Sequence, residues 1–295
     1  LTTIESYFKE LDYHDWKQQS IQHKTAVSGV IDDYLDQKQH QFNNPVIDFL
    51  FTYYNFRPAA LKRWSPGTGT LLRDAAGSDD FDQKEFTVAG RDIILDHSTF
   101  PERRQRALHW MYQLLLSTKE RQPQFNCCGM HEWAMVYKAE EVRHEHYPLR
   151  LSNAEIRDFV ETQPIACTHF DAFRFFTPQA KPFNKFTPSR EAFEDTEQPG
   201  CLHTNMDLYK WAYKLSPWVS SEIIFEAFQL AVKARTLDMK AGPYDLKSIG
   251  YEPIPIETEA GRIRYKQEQA SIWKASIPVR ERLIEAIKPL LLTQY

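Results

Sequence analysis

The sequence predicts a mainly α fold: a single helical domain with few short strands. Three observations predict it. Apolar residues recur at helical spacing over long stretches. Several of those stretches open on capping residues. Glycine is scarce, at 10 of 295 residues, whereas sandwiches and barrels need many Gly-rich turns.

The first helical stretch covers residues 3–40, inside a peripheral N-terminal segment, 1–44. Ile4, Tyr7, Phe8 and Leu11 repeat at i, i+3, i+4 and i+7, and Trp16, Ile21, Val27, Ile31, Tyr34 and Leu35 continue more loosely. Asn44 and Pro45 mark a helix start, because Asn caps and Pro suits the first helical position. The run Val46–Tyr54 is apolar nearly all round and is expected to be buried, with Asp48 in need of a partner. Residues 74–100 read as irregular, with an exposed turn at Gly77–Asp80. A helix then runs from about Thr99 to Lys119. Arg103 and Arg104 at its start oppose the helix dipole, and a solvated charged face is the expected reading.

Ser152 and Glu155 make a capping box that opens a helix to about Glu161. Thr204 and Asp207 resemble the same box, opening a helix to about Leu215. Ser220 or Ser221 caps the next helix, which Gly242 and Pro243 end. A last run, from about Thr258 to Leu292, is expected to bend at Pro278. Strand signals are confined to Leu71–Arg73, Phe86–Val88 and Ile165–Thr168. No repeat or linker divides the chain, so 1–295 reads as one domain.

Composition narrows the function classes. The chain is 42% hydrophobic and 26% charged, ordinary for a soluble globular protein. Its formal charge of −4 gives no global field to draw a polyanion, so nucleic acid would have to meet a local basic patch. No run of about 18 apolar residues predicts a membrane span, and the first residues lack a secretory pattern. The four cysteines match neither a disulfide framework nor a zinc CxxC pair. Free thiols in a reducing cytoplasm are the expectation.

The chemistry concentrates between Phe125 and Pro217. This stretch holds all four cysteines and five of the ten histidines. Three clusters each set a histidine within four residues of a carboxylate, among large rings. The first joins His131, Glu132 and Trp133. It begins like a helical zinc-protease motif, but Met135 stands where the second histidine is needed. The second joins His169, Phe170, Asp171, Phe173 and Arg174. If extended, His169, Asp171 and Phe173 share a face; if helical, Asp171 and Arg174 pair at i, i+3. The third joins His203, Asn205, Asp207, Lys210 and Trp211. With Thr204 as cap, His203 would sit just before the helix, Asn205 beside free backbone N–H groups, and Asp207 at a capping position.

Aromatic faces beside carboxylates suit a flat, electron-poor or cationic ring. Candidate catalytic residues are therefore Asp171, Asp207, Glu132, His131, His169 and His203. Candidate substrate contacts are Trp133, Phe170, Phe173, Arg174, Asn205, Lys210 and Trp211. Between Asp171 and Asp207, Asp171 is the first choice, since it has no capping role. Arg57, Lys62 and Arg63, beside Phe56 and Trp64, are the candidate phosphate or DNA contacts. No cofactor is expected. The alternative is a divalent transition metal on His131, His169 and His203. Glu141 and His144 are a lone Glu-x-x-His pair, too few for a di-iron bundle.

Several strings carry a resemblance. They are Asp48–Tyr54 with Arg57–Pro58, His131–Tyr137, Pro148–Leu151, Cys167–Phe176, Glu197–His203, Met206–Leu215, Leu237–Met239, Pro243–Leu246, and Ile256–Thr258 with Gly261–Arg262. Together they span about 45–265, and over that core the chain resembles a bacterial family catalogued as 3-methyladenine DNA glycosylases, outside the helix–hairpin–helix type. The resemblance implies excision of alkylated purines from DNA by N-glycosidic hydrolysis. An aromatic slot would hold the flipped base and a carboxylate would stabilise the sugar cation. The net acidity fits a nucleoside-like small molecule better than duplex DNA. A small-molecule enzyme, nucleoside-like hydrolase or metal-dependent, is the second expectation, and a non-catalytic binding module the third.

Overall fold

The computed structural model describes residues 9–40, 44–81, 85–142 and 146–291. Among these the protein is mainly α with one small sheet, as expected. The strands β1 (Lys9–Leu11), β2 (Thr70–Leu72), β3 (Thr87–Ala89) and β4 (Asp92–Ile94) form a sheet in the order β1-β2-β4-β3. β1 runs parallel to β2, and the other pairings are antiparallel.

Lys9–Leu11 therefore form a strand where a helix was expected. Leu11 is buried in β1 and pairs with Leu72. The partner lies some sixty residues on, so local periodicity could not reveal it. Ile4, Tyr7 and Phe8 lie outside the described residues. α1 (Tyr13–Gln39) starts only after Asp12, whose side chain accepts from the Asp15 N–H at 2.8 Å. Ile21 is 55% exposed, off the buried stripe of Trp16, Val27, Ile31 and Tyr34.

Asn44 caps as predicted, accepting from the Val46 and Ile47 N–H groups. The run that follows widens into a π-helical turn, Phe49–Tyr53. Val46, Leu50 and Phe51 are buried, but Phe49 and Tyr53 are only half-buried. Asp48 finds its partners in Tyr34, Lys38 and the Asn44 N–H. The strand expected at Ile165–Thr168 is reduced to one bridge, Ile165 to Asn184. The Asn184 amide takes up both backbone groups of Cys167, leaving no ladder to extend.

The helices are α2 (Gln105–Glu120), α3 (Met130–Val136), α4 (Asn153–Thr162), α5 (Phe170–Phe173), α6 (Phe193–Thr196), α7 (Leu202–Lys214), α8 (Ser221–Ala241) and α9 (Glu259–Ile287). α7, α8 and α9 pack on one another, and α2 packs on α9. Phe228, Ala231, Met206 and Leu283 fill the contact with no exposed surface; each large side chain buried this way contributes about 1.5–3 kcal/mol. The Ser152–Glu155 capping box opens α4, Ser220 caps α8, and α9 continues through Pro278. Arg104 does not join a solvated face: it hydrogen-bonds the Lys214 carbonyl and lies over Phe100 and Trp218. No helix among the described residues is long and apolar enough to cross a membrane.

Candidate active site

Four elements bring the three predicted clusters to one place. Gly129, at φ +77°, turns the chain into α3. Any larger residue would be strained there and would press on Ala241 and Ile256 at 3.3 Å. α3 then places His131 and Glu132 inside the fold, both 3% exposed. α7 supplies His203, whose ring lies 4.7 Å from that of His131 and 5.2 Å from that of His169, centroid to centroid. The three histidines converge.

α8 adds two residues that sequence reasoning missed. Arg235 donates from one nitrogen to Glu132 at 2.6 Å and to Asp238 at 2.5 Å. Asp238 Oδ1 lies 2.7 Å from His131 Nε2. Neither of those two atoms makes a well-aligned hydrogen bond, although both are fully buried. Burial opposes a charge on His131, but Asp238 and then Cys127 outweigh it and hold its pKa well above the ordinary value. Burial, and then the charge on His131, hold His203 well below its ordinary value. The two neighbouring imidazoles are thus pushed in opposite directions.

His169 precedes the short helix α5. Its Nδ1 donates to Glu197 at 2.7 Å, and Glu197 also accepts from Thr204. His169, Asp171 and Asp207 bring one ligand atom each within 4.8 Å of the others. A lysine already stands among them: Lys210 Nζ lies 3.3 Å from Asp171 and 3.0 Å from Asp207. Burial pushes the Asp171 pKa up, but Lys210, His169 and Arg174 win and lower it.

A cavity of about 450 Å³ opens onto this floor. Glu132, Asp171, His203 and Arg235 are its polar lining, and Phe49, Tyr53, Phe175 and Tyr147 its aromatic walls. Phe49 and Tyr53 stack at 4.7 Å and 7°, and Arg235 lies 4.3 Å from the Phe49 ring. Three carboxylates (Asp48, Glu132, Asp171) face two fixed cations (Lys38, Arg235) in the lining. Neutral or cationic ligands suit that balance.

The structure separates the predicted residues. Asp171 lines the cavity; Asp207 does not, and is buried against the Tyr54 hydroxyl at 2.8 Å and Lys210. The capping role expected of Asp207 is wrong, because α7 starts at Leu202 with Cys201 as its cap. Thr204 and His203 therefore sit inside the helix. Asn205 is no anion site: it has no exposed surface and holds Pro199 and Arg280. Trp133 is core, with its indole N–H on the Ala241 carbonyl. Phe173 packs on Phe176, Trp211 on Trp110, and Phe170 is half-buried outside the cavity lining. Arg174 is outside the cavity lining, 3.3 Å from Asp171 and over Phe175.

The predicted phosphate contacts lie elsewhere. Lys62 pairs with Asp32 at 2.6 Å. Lys62 and Arg63 line a second cavity of about 590 Å³, where Asp79, Asp80 and Glu85 offset them. Arg57 is exposed and lines neither cavity. His144 lies outside the described residues, so the Glu141 pair has no structural account. All four cysteines are free. No protein-family model, no curated protein and no solved structure matched the chain.

One of the missed features carried a signal in the sequence. Arg235 and Asp238 stand at i, i+3 in a helix otherwise apolar on that face (Leu230, Ala231, Ala234, Leu237), where an isolated charge would be costly. Glu197 lies six residues before His203, but nothing local links it to His169.

Proposed function

We propose that the protein is a hydrolase that cleaves the N-glycosidic bond of a nucleoside-sized molecule carrying a flat, electron-poor or cationic ring. One observation carries this reading: an aromatic-walled cavity of about 450 Å³ has in its lining the carboxylate of Asp171, whose pKa is lowered. The volume is in the usual range for a small-molecule site. The bond class comes from the resemblance to the alkylated-purine glycosylases.

The ring would lie against Phe49, Tyr53 and Phe175. The bond from sugar C1′ to the ring nitrogen breaks, and its electron pair goes to the ring. With a cationic ring that pair leaves a neutral base, so no proton has to be delivered to the leaving group. Asp171 stabilises the sugar cation. Water then adds to C1′ and passes a proton to the Asp171 carboxylate. Lys210 and Arg174 keep that carboxylate charged before the reaction, and Glu132 is held in place by Arg235.

A small substrate is preferred to duplex DNA on charge. The cations expected to meet phosphate are away from this cavity, and Lys62 is already paired. The test is base release from an N-alkylated purine nucleoside and, in parallel, from alkylated DNA. Release from the nucleoside, slowed about a hundredfold in Asp171→Asn, supports the proposal. Release from DNA alone assigns the larger substrate, and release from neither overturns the reading.

A further inference from the structure

We propose that His131, His203 and Asp238 bind one divalent transition-metal ion at the base of the aromatic cavity. The three residues come from α3, α7 and α8 and bring one ligand atom each within 4.8 Å of the others. All three are buried. His131 Nε2 and Asp238 Oδ1 are the two facing atoms that lack an aligned hydrogen bond. The His203 ring makes no hydrogen bond or ion pair with any described residue, and it lines the cavity, so a ligand can reach it from that side. A cation bound here would displace the proton between His131 and Asp238 and take one ligand atom from each of the three residues.

Ligand type and geometry fit such an ion. Two imidazoles and one carboxylate are a donor set used for zinc and for non-haem iron. At metal–ligand bonds of about 2.0–2.1 Å, donors around a tetrahedral ion stand roughly 3.3 Å apart. The 2.7 Å between His131 and Asp238 needs only a small opening. Outer partners already fix the ligands: Arg235 holds the other Asp238 oxygen at 2.5 Å, and Cys127 lies 3.3 Å from His131 Nδ1. Such orientation is typical of built metal sites. His203 and Arg235 also line the cavity, so a fourth position faces the space where substrate would lie. The site is distinct from the set first expected. His169 is turned to Glu197, and its own cluster with Asp171 and Asp207 holds the Lys210 ammonium in place of an ion.

Binding the ion does not depend on the substrate; only its use, to hold the hydrolytic water, rests on the hydrolase reading. The test uses the full chain without a histidine tag, stripped with chelator and dialysed against zinc(II). About one equivalent is expected, together with a raised melting temperature. His203→Ala and His203→Gln should each bind at least about 100-fold more weakly, since losing a direct ligand exceeds losing an outer partner. His169→Gln should bind as the parent does. Cobalt(II) on the parent protein should give visible bands of a low-coordinate nitrogen–oxygen site, a readout needing no variant. Stoichiometry well below one, unchanged zinc binding in folded His203 variants, or a featureless cobalt spectrum overturns the proposal. Metal binding without base release would sink the hydrolase reading alone, and base release without metal binding the metal site alone.

Discussion

Glu197 holds the imidazole of His169 by its Nδ1 at 2.7 Å, and so turns the other nitrogen toward Asp171 and Asp207. Both side chains are about 2% exposed. Burial opposes charge on His169, but Glu197 overcomes it and raises its pKa. Glu197→Gln keeps the shape and leaves a buried imidazolium without its counter-ion. Breaking a buried pair costs roughly 3–5 kcal/mol. The midpoint of urea unfolding should fall accordingly. An unchanged midpoint would mean that His169 is neutral and the pair weak.

Asp171 and Asp207 should fail in different ways. Asp171→Asn removes a charge from the cavity wall and is expected to slow base release by about a hundredfold, the scale of one electrostatic stabiliser, with little change in melting temperature. Asp207→Asn takes partners from Tyr54 and Lys210 and should lower the melting temperature instead. Turnover near that of the parent in folded Asp171→Asn would move the catalytic role to Glu132.

Lys210 tunes Asp171. The charged groups facing that carboxylate are Lys210 from α7 and His169 and Arg174 from its own segment, with the Tyr53 hydroxyl beside it. Lys210→Met removes the strongest of the lowering charges, so the Asp171 pKa rises. The acid limb of kcat/KM, which reports the free enzyme, should move to higher pH. A limb that stays put would show that Asp171 does not set it.

Asp80 should govern part of the acid stability. Burial pushes its carboxyl up, but hydrogen bonds from Lys17, Lys24 and Ser78 hold it down at about 2. A folded value below the unfolded one stabilises the fold above the unfolded value and loses that contribution as pH falls toward the folded one. The loss is therefore expected between about pH 4 and pH 2. Asp80→Asn should flatten that stretch of the stability curve and leave a neutral-pH loss of about 1 kcal/mol or less, because both lysines are well exposed.

Gly200 should tolerate no side chain. A Cβ there would stand 2.5 Å from the Gln124 carbonyl oxygen, just before α7. Gly200→Ala must displace that backbone, at about 1–3 kcal/mol for an overpacked site. Because His203 follows three residues later, base release should fall together with the melting temperature. A variant as stable and active as the parent would mean that the Gln124 segment yields freely.

Much of this was legible from residues alone. Capping chemistry at Asn44, Ser152, Ser220 and Thr258 is local, and each marks a helix start in the structure. Thr204 misled because its hydroxyl serves Glu197, a demand from outside its own helix. The strand at Leu11 was hidden for the same reason, its partner being β2. In the site, the sequence found the histidines by their odd setting among rings. It missed Asp238, Arg235 and Glu197, whose meaning lies in what they face. Trp133, Phe173 and Trp211 looked like pocket walls, but packing places them in the core. Phe49 and Tyr53 are walls because a π turn opens a helix that reads as wholly buried.

The cavity floor is drawn from points far apart along the chain, at residues 131–132, 169–171, 203 and 235–238. Translation must pass Asp238 before His131 can meet its counter-charge, and α9 must follow before that helix pair is covered. Until then, five or more charged side chains destined for the interior have no partners and stay in water. Assembly of this centre must therefore come late and all at once, as expected of contacts with long loops to close. A nascent chain released before α8 would hold seven of the nine described α-helices yet lack Arg235 and Asp238, the partners of Glu132 and His131.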